Sequence, residues 1–322
     1  MRDLADPLLR YLDQVAPYVP ARELMGGSDD VEALLGYLAE PQPWQSDAVL
    51  HRCRAALTET ILWLADYIWS CQCAAMDNPA PDDLLELIRH WHRDQSTVIT
   101  FNYDTLVEAA FASLREELCF PRSAAGHLCL STLNLPMLSA RQGNAVLGGE
   151  DPATFEFLKL HGSLNWMYSG DRGGYGDALY DTREIGTWGT RLRRSFESVR
   201  LEAPGLEVAL LPPTPTKNGM MTNGMLRHLW VRAADAIASA DRVVVIGYSL
   251  PPSDRIVRSM LSVMGRPLSG NEPPKKLVPV DRSTAVRGTL AELLPSAEIE
   301  DAWCGFDDAV SSFVRNGLTA IQ

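Results

Sequence analysis

Long apolar runs are scarce in this chain. The most apolar stretch, Ile61 to Trp69, is interrupted by Asp66 and falls well short of the ~20 residues that a helix needs to cross a bilayer. No leader-like pattern of basic, apolar and small residues opens the sequence at Met1. Positive charge is also short: the formal net charge is −12 at pH 7, which speaks against direct binding to nucleic acid or to an anionic membrane. The one local basic run, Arg191, Arg193 and Arg194, has Glu197 and Glu202 close by and reads as a solvated face. Disulfide and metal patterns are missing too. The six cysteines, Cys53, Cys71, Cys73, Cys119, Cys129 and Cys304, follow no framework spacing, and Cys71-x-Cys73 is too tight for a zinc knuckle. His90 and His92 fall in a helical pattern, where alternate residues diverge. The expectation is a reduced, soluble, cytoplasmic protein with no metal, no membrane and no direct nucleic-acid partner.

What is present suffices for a sizeable core: 322 residues, 46% of them hydrophobic. Residues 1–95 read as mainly helical. Leu4 to Val15 is weakly amphipathic, and Asp30 opens an apolar pattern through Leu38 that stops before Pro41. From Asp47 to about Ala75, the stripe Val49, Cys53, Ala56, Leu57, Thr60, Ile61, Leu64 and Ile68 has helical period. Pro79 and Pro81 end it, and Asp82 caps a further helix through Trp91.

The pattern then changes to short strands. Ser96 to Phe101 is a β-branched run that turns at Asn102-Tyr103 into a helix bearing Leu106, Ala110, Phe111, Leu114 and Leu118. Thr105 and Glu108 have capping-box spacing at its start. Residues 120–152 are rich in Pro, Gly and Ser and read as irregular. Phe155 to Leu160 is a second strand ending at His161, and residues 165–205, glycine-rich in their middle, read as a surface insertion. Leu206 to Leu211, Arg242 to Ile246, Lys276 to Val280 and Ala297 to Glu300 are further strands. Between them lies a strongly periodic helix from Met225 to Ala238, and a last helix starts near Phe306. Strands alternating with crossover-length helices predict one α/β domain over residues 1–322, with a Rossmann-like, doubly wound, mostly parallel sheet and a helical N-terminal region.

Three strand ends carry the chemistry: Thr100-Phe101-Asn102-Tyr103-Asp104, Leu160-His161-Gly162-Ser163 and Val245-Ile246-Gly247-Tyr248-Ser249. Open α/β sheets bind ligands at the carboxyl ends of their strands. Asn102 sits between a strand and a helix start, where free N–H groups and the helix dipole favour electron-rich groups; it could equally just satisfy its turn. His161 has a side chain whose ordinary pKa of about 6.5 suits a proton acceptor, and Gly162-Ser163 would let a ligand approach the backbone beside it; a structural histidine is the alternative. Asp281 ends a strand, where a carboxylate either grips an adenosine ribose or caps the next helix. Gly247-Tyr248-Ser249 has the outline of a hydrolase nucleophile elbow. Pro251 stands where that motif needs glycine, however, and the last histidine, His228, precedes Ser249, so the hydrolase order of nucleophile, acid and base is not met.

Taken together, the three strings resemble the sirtuin-like NAD-binding family, in particular its prokaryotic, defence-associated branch of NAD-consuming proteins. Thr100 to Asp104 resembles the family's Thr-x-Asn-x-Asp turn, and Leu160 to Ser163 with Asn165-Trp166 its catalytic histidine segment. Leu211-Pro212-Pro213-Thr214 with Lys217, Trp230, and Gly247 to Asp254 are similar to its C-terminal half, so the likeness spans about residues 85–315. The resemblance implies NAD as substrate, hydrolysed to ADP-ribose and nicotinamide, with Asn102 and His161 as catalytic residues. It implies cofactor contacts at Thr100, Phe101, Asp104, Gly162, Gly247, Tyr248, Ser249 and Asp281. It further implies an antiviral effector that depletes NAD, acting as a homo-oligomer or with a partner protein as sensor. The alternative reading is a catalytically silent subunit that binds NAD or ADP-ribose.

Two departures from the family qualify these implications. Deacetylating sirtuins carry a four-cysteine zinc module after the histidine, whereas here only Cys304 lies beyond His161, which turns the expectation from deacylation to NAD hydrolysis. The family's opening strand and Gly-Ala-Gly-Ser-like phosphate loop have no counterpart; the only early glycine pair is Gly26-Gly27. Either the natural protein is longer at its N-terminus or the chain is a degenerate member.

Overall fold

The computed structural model describes residues 2–25, 31–114, 116–118, 137–139, 145–146, 154–168, 179–181, 188–189, 196, 205–211, 224–251, 254–262, 274–300 and 302–318. Gly26-Gly27, Cys119, Cys129, the basic run at Arg191 to Arg194, Pro212 to Thr214, Lys217 and Ser253 lie outside them.

The N-terminal pattern forms helices α1 (Arg2–Val15), α2 (Ala21–Leu24), α3 (Val31–Ala39), α4 (Asp47–Met76) and α5 (Asp82–Asp94). Leu8, Leu12, Leu34, Leu35 and Leu38 close one core against Cys53 and Ala56 of α4. Thr60 sits in the apolar stripe of α4 without penalty because its hydroxyl donates to the Ala56 carbonyl at 2.7 Å. At 30 residues α4 is roughly 45 Å long, and it serves two cores. Its C-terminal half packs Ala65 and Trp69 against Leu164, Met167, Val208 and Leu210 of a sheet. Asp82 proves to lie in the first turn of α5 rather than at its cap, which is Pro81.

The chain is mixed α/β, and its strands form small sheets. β1 (Thr97–Thr100) pairs in parallel with β4 (Glu156–Lys159), Thr100 opposite Lys159. Helix α6 (Leu106–Leu114) follows β1. β8 (Arg242–Ile246), β9 (Lys276–Asp281), β10 (Glu298–Ile299) and β11 (Trp303–Cys304) form a parallel group around β9. The third group joins β2 (Met137–Ser139), β3 (Ala145–Val146), β5 (Gly162–Tyr168), β6 (Leu179–Asp181) and β7 (Glu207–Leu210). In that group β5 runs antiparallel to both β6 and β7. The strand expected at Leu206–Leu211 is therefore β7, a member of a mixed sheet, and not a further parallel strand.

One core joins the two parallel groups. Phe157 and Leu158 of β4, Leu277 of β9 and the apolar stripe of α7 (Gly224–Ser239) are buried together with residues of α8 (Arg255–Leu261) and α9 (Ala285–Leu293). The expected surface insertion does not begin at residue 165. Asn165, Trp166 and Met167 are buried within β5, and Leu179 and Phe196 further on are buried too, because β5 lies between its partner strands and α4. No helix among the described residues is long and apolar enough to cross a membrane.

His90 and His92 stand on α5 as predicted, and their rings take different partners. His90 Nδ1 lies 3.1 Å from Arg93 and Nε2 lies 3.4 Å from Asp94, while His92 Nδ1 meets Thr154 Oγ1 at 2.9 Å. Burial lowers the pKa of both; at His90 the charges of Asp94 and Glu86 oppose the shift and those of Arg93 and Arg242 add to it. The folded chain thus binds fewer protons than the unfolded chain just below the ordinary histidine pKa. The neutral rings contribute stability above about pH 6.5, and it is lost as pH falls from there through the depressed folded values. Thermal melting should accordingly fall between about pH 7.5 and pH 5.5, and His90→Gln with His92→Gln should flatten that slope; an unchanged slope would refute the assignment.

Candidate functional site

The turn after β1 is built by its own side chains. The Asn102 N–H donates to Thr100 Oγ1 at 3.1 Å, and the Leu106 N–H donates to Asp104 Oδ1 at 3.1 Å. The capping box expected from Thr105 and Glu108 does not form. Gln72 of α4 takes the Thr105 N–H at 3.0 Å instead, and Glu108 turns inward to accept from Lys159 Nζ at 2.8 Å. The Lys159 and Glu108 side chains are 0% and 1% exposed, so the carboxylate is committed to matching a buried ammonium and cannot reach back to the helix start. Lys159 also donates to the Asp104 carbonyl at 2.5 Å.

His161 lies two residues beyond the end of β4, with 6% of its surface exposed. Three rings surround its imidazole: Phe101 at 5.0 Å between centroids, Tyr103 at 6.0 Å and Trp230 at 6.2 Å. Each is fixed by packing or a hydrogen bond. The Tyr103 hydroxyl donates to the Leu211 carbonyl at 2.5 Å, and Trp230 Nε1 donates to the Leu160 carbonyl at 3.1 Å. Leu211 in turn donates its N–H to the His161 carbonyl at 2.8 Å. The histidine is therefore held from β1, from β7 and from α7.

The third string joins through Tyr248, whose ring lies 4.9 Å from that of Phe101. Its hydroxyl donates to Asp254 Oδ2 at 2.6 Å, and Asp254 Oδ1 caps α8 through the Val257 N–H. Gly247 adopts φ +61°, a left-handed conformation that suits glycine, and donates to the Val280 carbonyl at 2.9 Å. That bond sets the loop after β8 beside the end of β9, where Asp281 Oδ1 accepts the Ser283 N–H at 2.7 Å. Asp281 thus closes its own turn with one oxygen and does not cap the next helix, whose N-cap is Thr284 without a side-chain cap bond.

Phe101, His161 and Tyr248 are brought into one aromatic cluster. Asn102 lies between two members of the cluster and is exposed, as are Gly247 and Ser249. Thr100 and Asp104 shape the turn that carries Asn102. Gly162 departs from expectation. It has φ +83°, and a Cβ there would lie 1.8 Å from the Ala209 carbonyl oxygen, so the close approach its missing side chain permits is to β7 and not to a ligand. Ser163 is buried and donates to Asn165 Oδ1 at 2.5 Å. Among the described residues, no group of three His, Cys, Asp or Glu side chains could hold a metal ion.

Sequence reasoning missed the Lys159–Glu108 pair, the reach of Gln72 to Thr105, and the part of Tyr103 in enclosing the histidine. The first had a signal: a lysine inside the apolar run Phe155 to Leu160, since buried lysines need a partner. No protein-family model matches the chain, and no curated protein matches it.

The geometry at Gly162 makes its replacement costly. Gly162→Ala should lower stability by at least about 1–3 kcal/mol from backbone strain alone, with the clash against Ala209 adding to it. Urea unfolding should show a reduced midpoint at unchanged slope, and wild-type stability of the variant would contradict the close contact.

Proposed function

We propose that this protein is a NAD glycohydrolase, cleaving NAD to nicotinamide and ADP-ribose on a Rossmann-like, sirtuin-like frame. The observation that carries the reading is the joining of the three strand-end strings in one aromatic cluster, Phe101 and Tyr103 against the His161 imidazole and Tyr248 against Phe101. One core buries β4 and β9 together with α7, and β8 and β9 pair in parallel across a helical crossover, the connection such a frame requires.

In this mechanism the bond between the ribose anomeric carbon and the pyridinium nitrogen breaks, and its electron pair neutralises the departing nicotinamide. No acid is needed for that departure. The sugar cation that develops is then attacked by water. Asn102, exposed at the end of β1, orients the nicotinamide ribose and the water. His161 accepts the proton from the water or from a ribose hydroxyl, a role typically worth about 10²–10⁴-fold. The rings around His161 exclude bulk water, and electron-rich ring faces favour a cationic partner. Asp104 serves the nicotinamide end, Gly247 and Ser249 the phosphate or ribose. Asp281 serves the adenosine side through its second carboxylate oxygen, the first being taken by Ser283. The physiological role that fits is depletion of NAD as a defence response, triggered by a partner or by self-association.

Nicotinamide release from NAD tests this directly. The wild type should turn over, and Asn102→Ala and His161→Ala should each lose on the order of 10²-fold or more while keeping their melting temperatures. Nucleotide binding without release by any of the three would instead support the silent binding subunit, and full activity in His161→Ala would eliminate the mechanism.

A further inference from the structure

We propose that Lys159 is a positioning residue that sets the Asn102 turn against His161. The inference rests on the glycohydrolase reading for its catalytic consequence and on geometry for its cause. Residues 100 and 104 bracket the turn, and adjacent residues of one strand end hold both. The Leu160 N–H donates to the Thr100 carbonyl at 3.0 Å, and Lys159 Nζ donates to the Asp104 carbonyl at 2.5 Å. Asn102 lies midway between these two grips, and His161 is the next residue along the gripping strand. From the far side of the turn, Leu164, three residues beyond His161, donates its N–H to the Tyr103 carbonyl at 3.0 Å. One short stretch of chain, residues 159–164, therefore carries the histidine and clamps the turn bearing the amide.

A buried lysine is a costly way to fill an apolar strand position. Replacing such an ion pair by apolar residues of similar volume is often neutral or stabilising, so stability alone does not call for an ammonium here. What an apolar pair could not supply is the donor to the Asp104 carbonyl. Glu108 compensates the charge of Lys159, and it fixes the direction of the ammonium from α6 at 2.8 Å.

Two variants separate the clamp from the charge pair. Glu108→Gln removes the counter-charge but leaves an acceptor for Nζ, and the lysine, even as a neutral amine, still has an N–H for the Asp104 carbonyl; Lys159→Met with Glu108→Leu removes the pair and the clamp together. Relative to Glu108→Gln, the double variant should lose on the order of 10- to 100-fold in kcat for nicotinamide release, as small misplacements of reacting groups do, with KM within about 3-fold. Hydrogen exchange at the Leu106 and Leu164 amides should be faster in the double variant at matched melting temperature. If the apolar pair does not fold, Lys159→Met with Glu108→Gln takes its place in the same comparison. Equal kcat in the two variants, or a loss confined to KM, would overturn the positioning role. Should the wild type release no nicotinamide, the glycohydrolase reading fails on its own, and exchange decides the clamp: faster exchange in the double variant upholds it, and equal protection removes it.

Discussion

An ammonium group without exposed surface can persist only where its charge and its hydrogen bonds are matched, and Lys159 imposes that condition on everything around it. Glu108 must face inward, which fixes the rotation of α6 about its axis. The Asp104 carbonyl must point back to the strand, which fixes the path of the chain from β1 into that helix. The helix start, deprived of its glutamate, must be completed by Asp104 and by Gln72 of α4. A single buried ion pair thus determines the relation of a strand pair, a crossover helix and the long α4, all within a few residues of His161.

The aromatic cluster depends on the same arrangement. Phe101 and Tyr103 belong to the turn, so their rings reach the imidazole only if the turn keeps its path. Trp230 comes from α7 and is oriented by the Leu160 carbonyl, one residue before the histidine. Tyr248 comes from the loop after β8 and is braced by Asp254. Contacts among rings of this kind are individually modest, about 0.5–1.5 kcal/mol beyond their buried area. Their value here lies in joining segments that are far apart in the chain around one imidazole.

Much of this was legible in the sequence because local patterns and tertiary demands agree. The helical stripe from Asp47, the β-branched run before Asn102 and the apolar run of β8 each carry their own period, and the structure follows them. The strand ends were legible as turns because polar residues break off apolar runs there. What could not be read was the use of side chains across long separations. Thr105 and Glu108 have the spacing of a helix cap, yet Gln72 and Lys159, remote in sequence, claim those groups. Asn165 and Trp166 are polar and bulky residues beside a turn, which suggested surface, whereas β7 and α4 close over them. The pairing of β7 with β5 was equally hidden, since an apolar run of four residues does not announce the direction of its neighbour.

The glycine at the start of β5 has a consequence for how the sheet is assembled. Its left-handed backbone admits the Ala209 carbonyl where any other residue would present a side chain. A slip of one position would drive the Ser163 hydroxymethyl into that space, and a slip of two would drive in Leu164. Strand registry between β5 and β7 is therefore checked at Gly162, ahead of the register shift that precedes Met167, and the imidazole stands one residue upstream of that checkpoint.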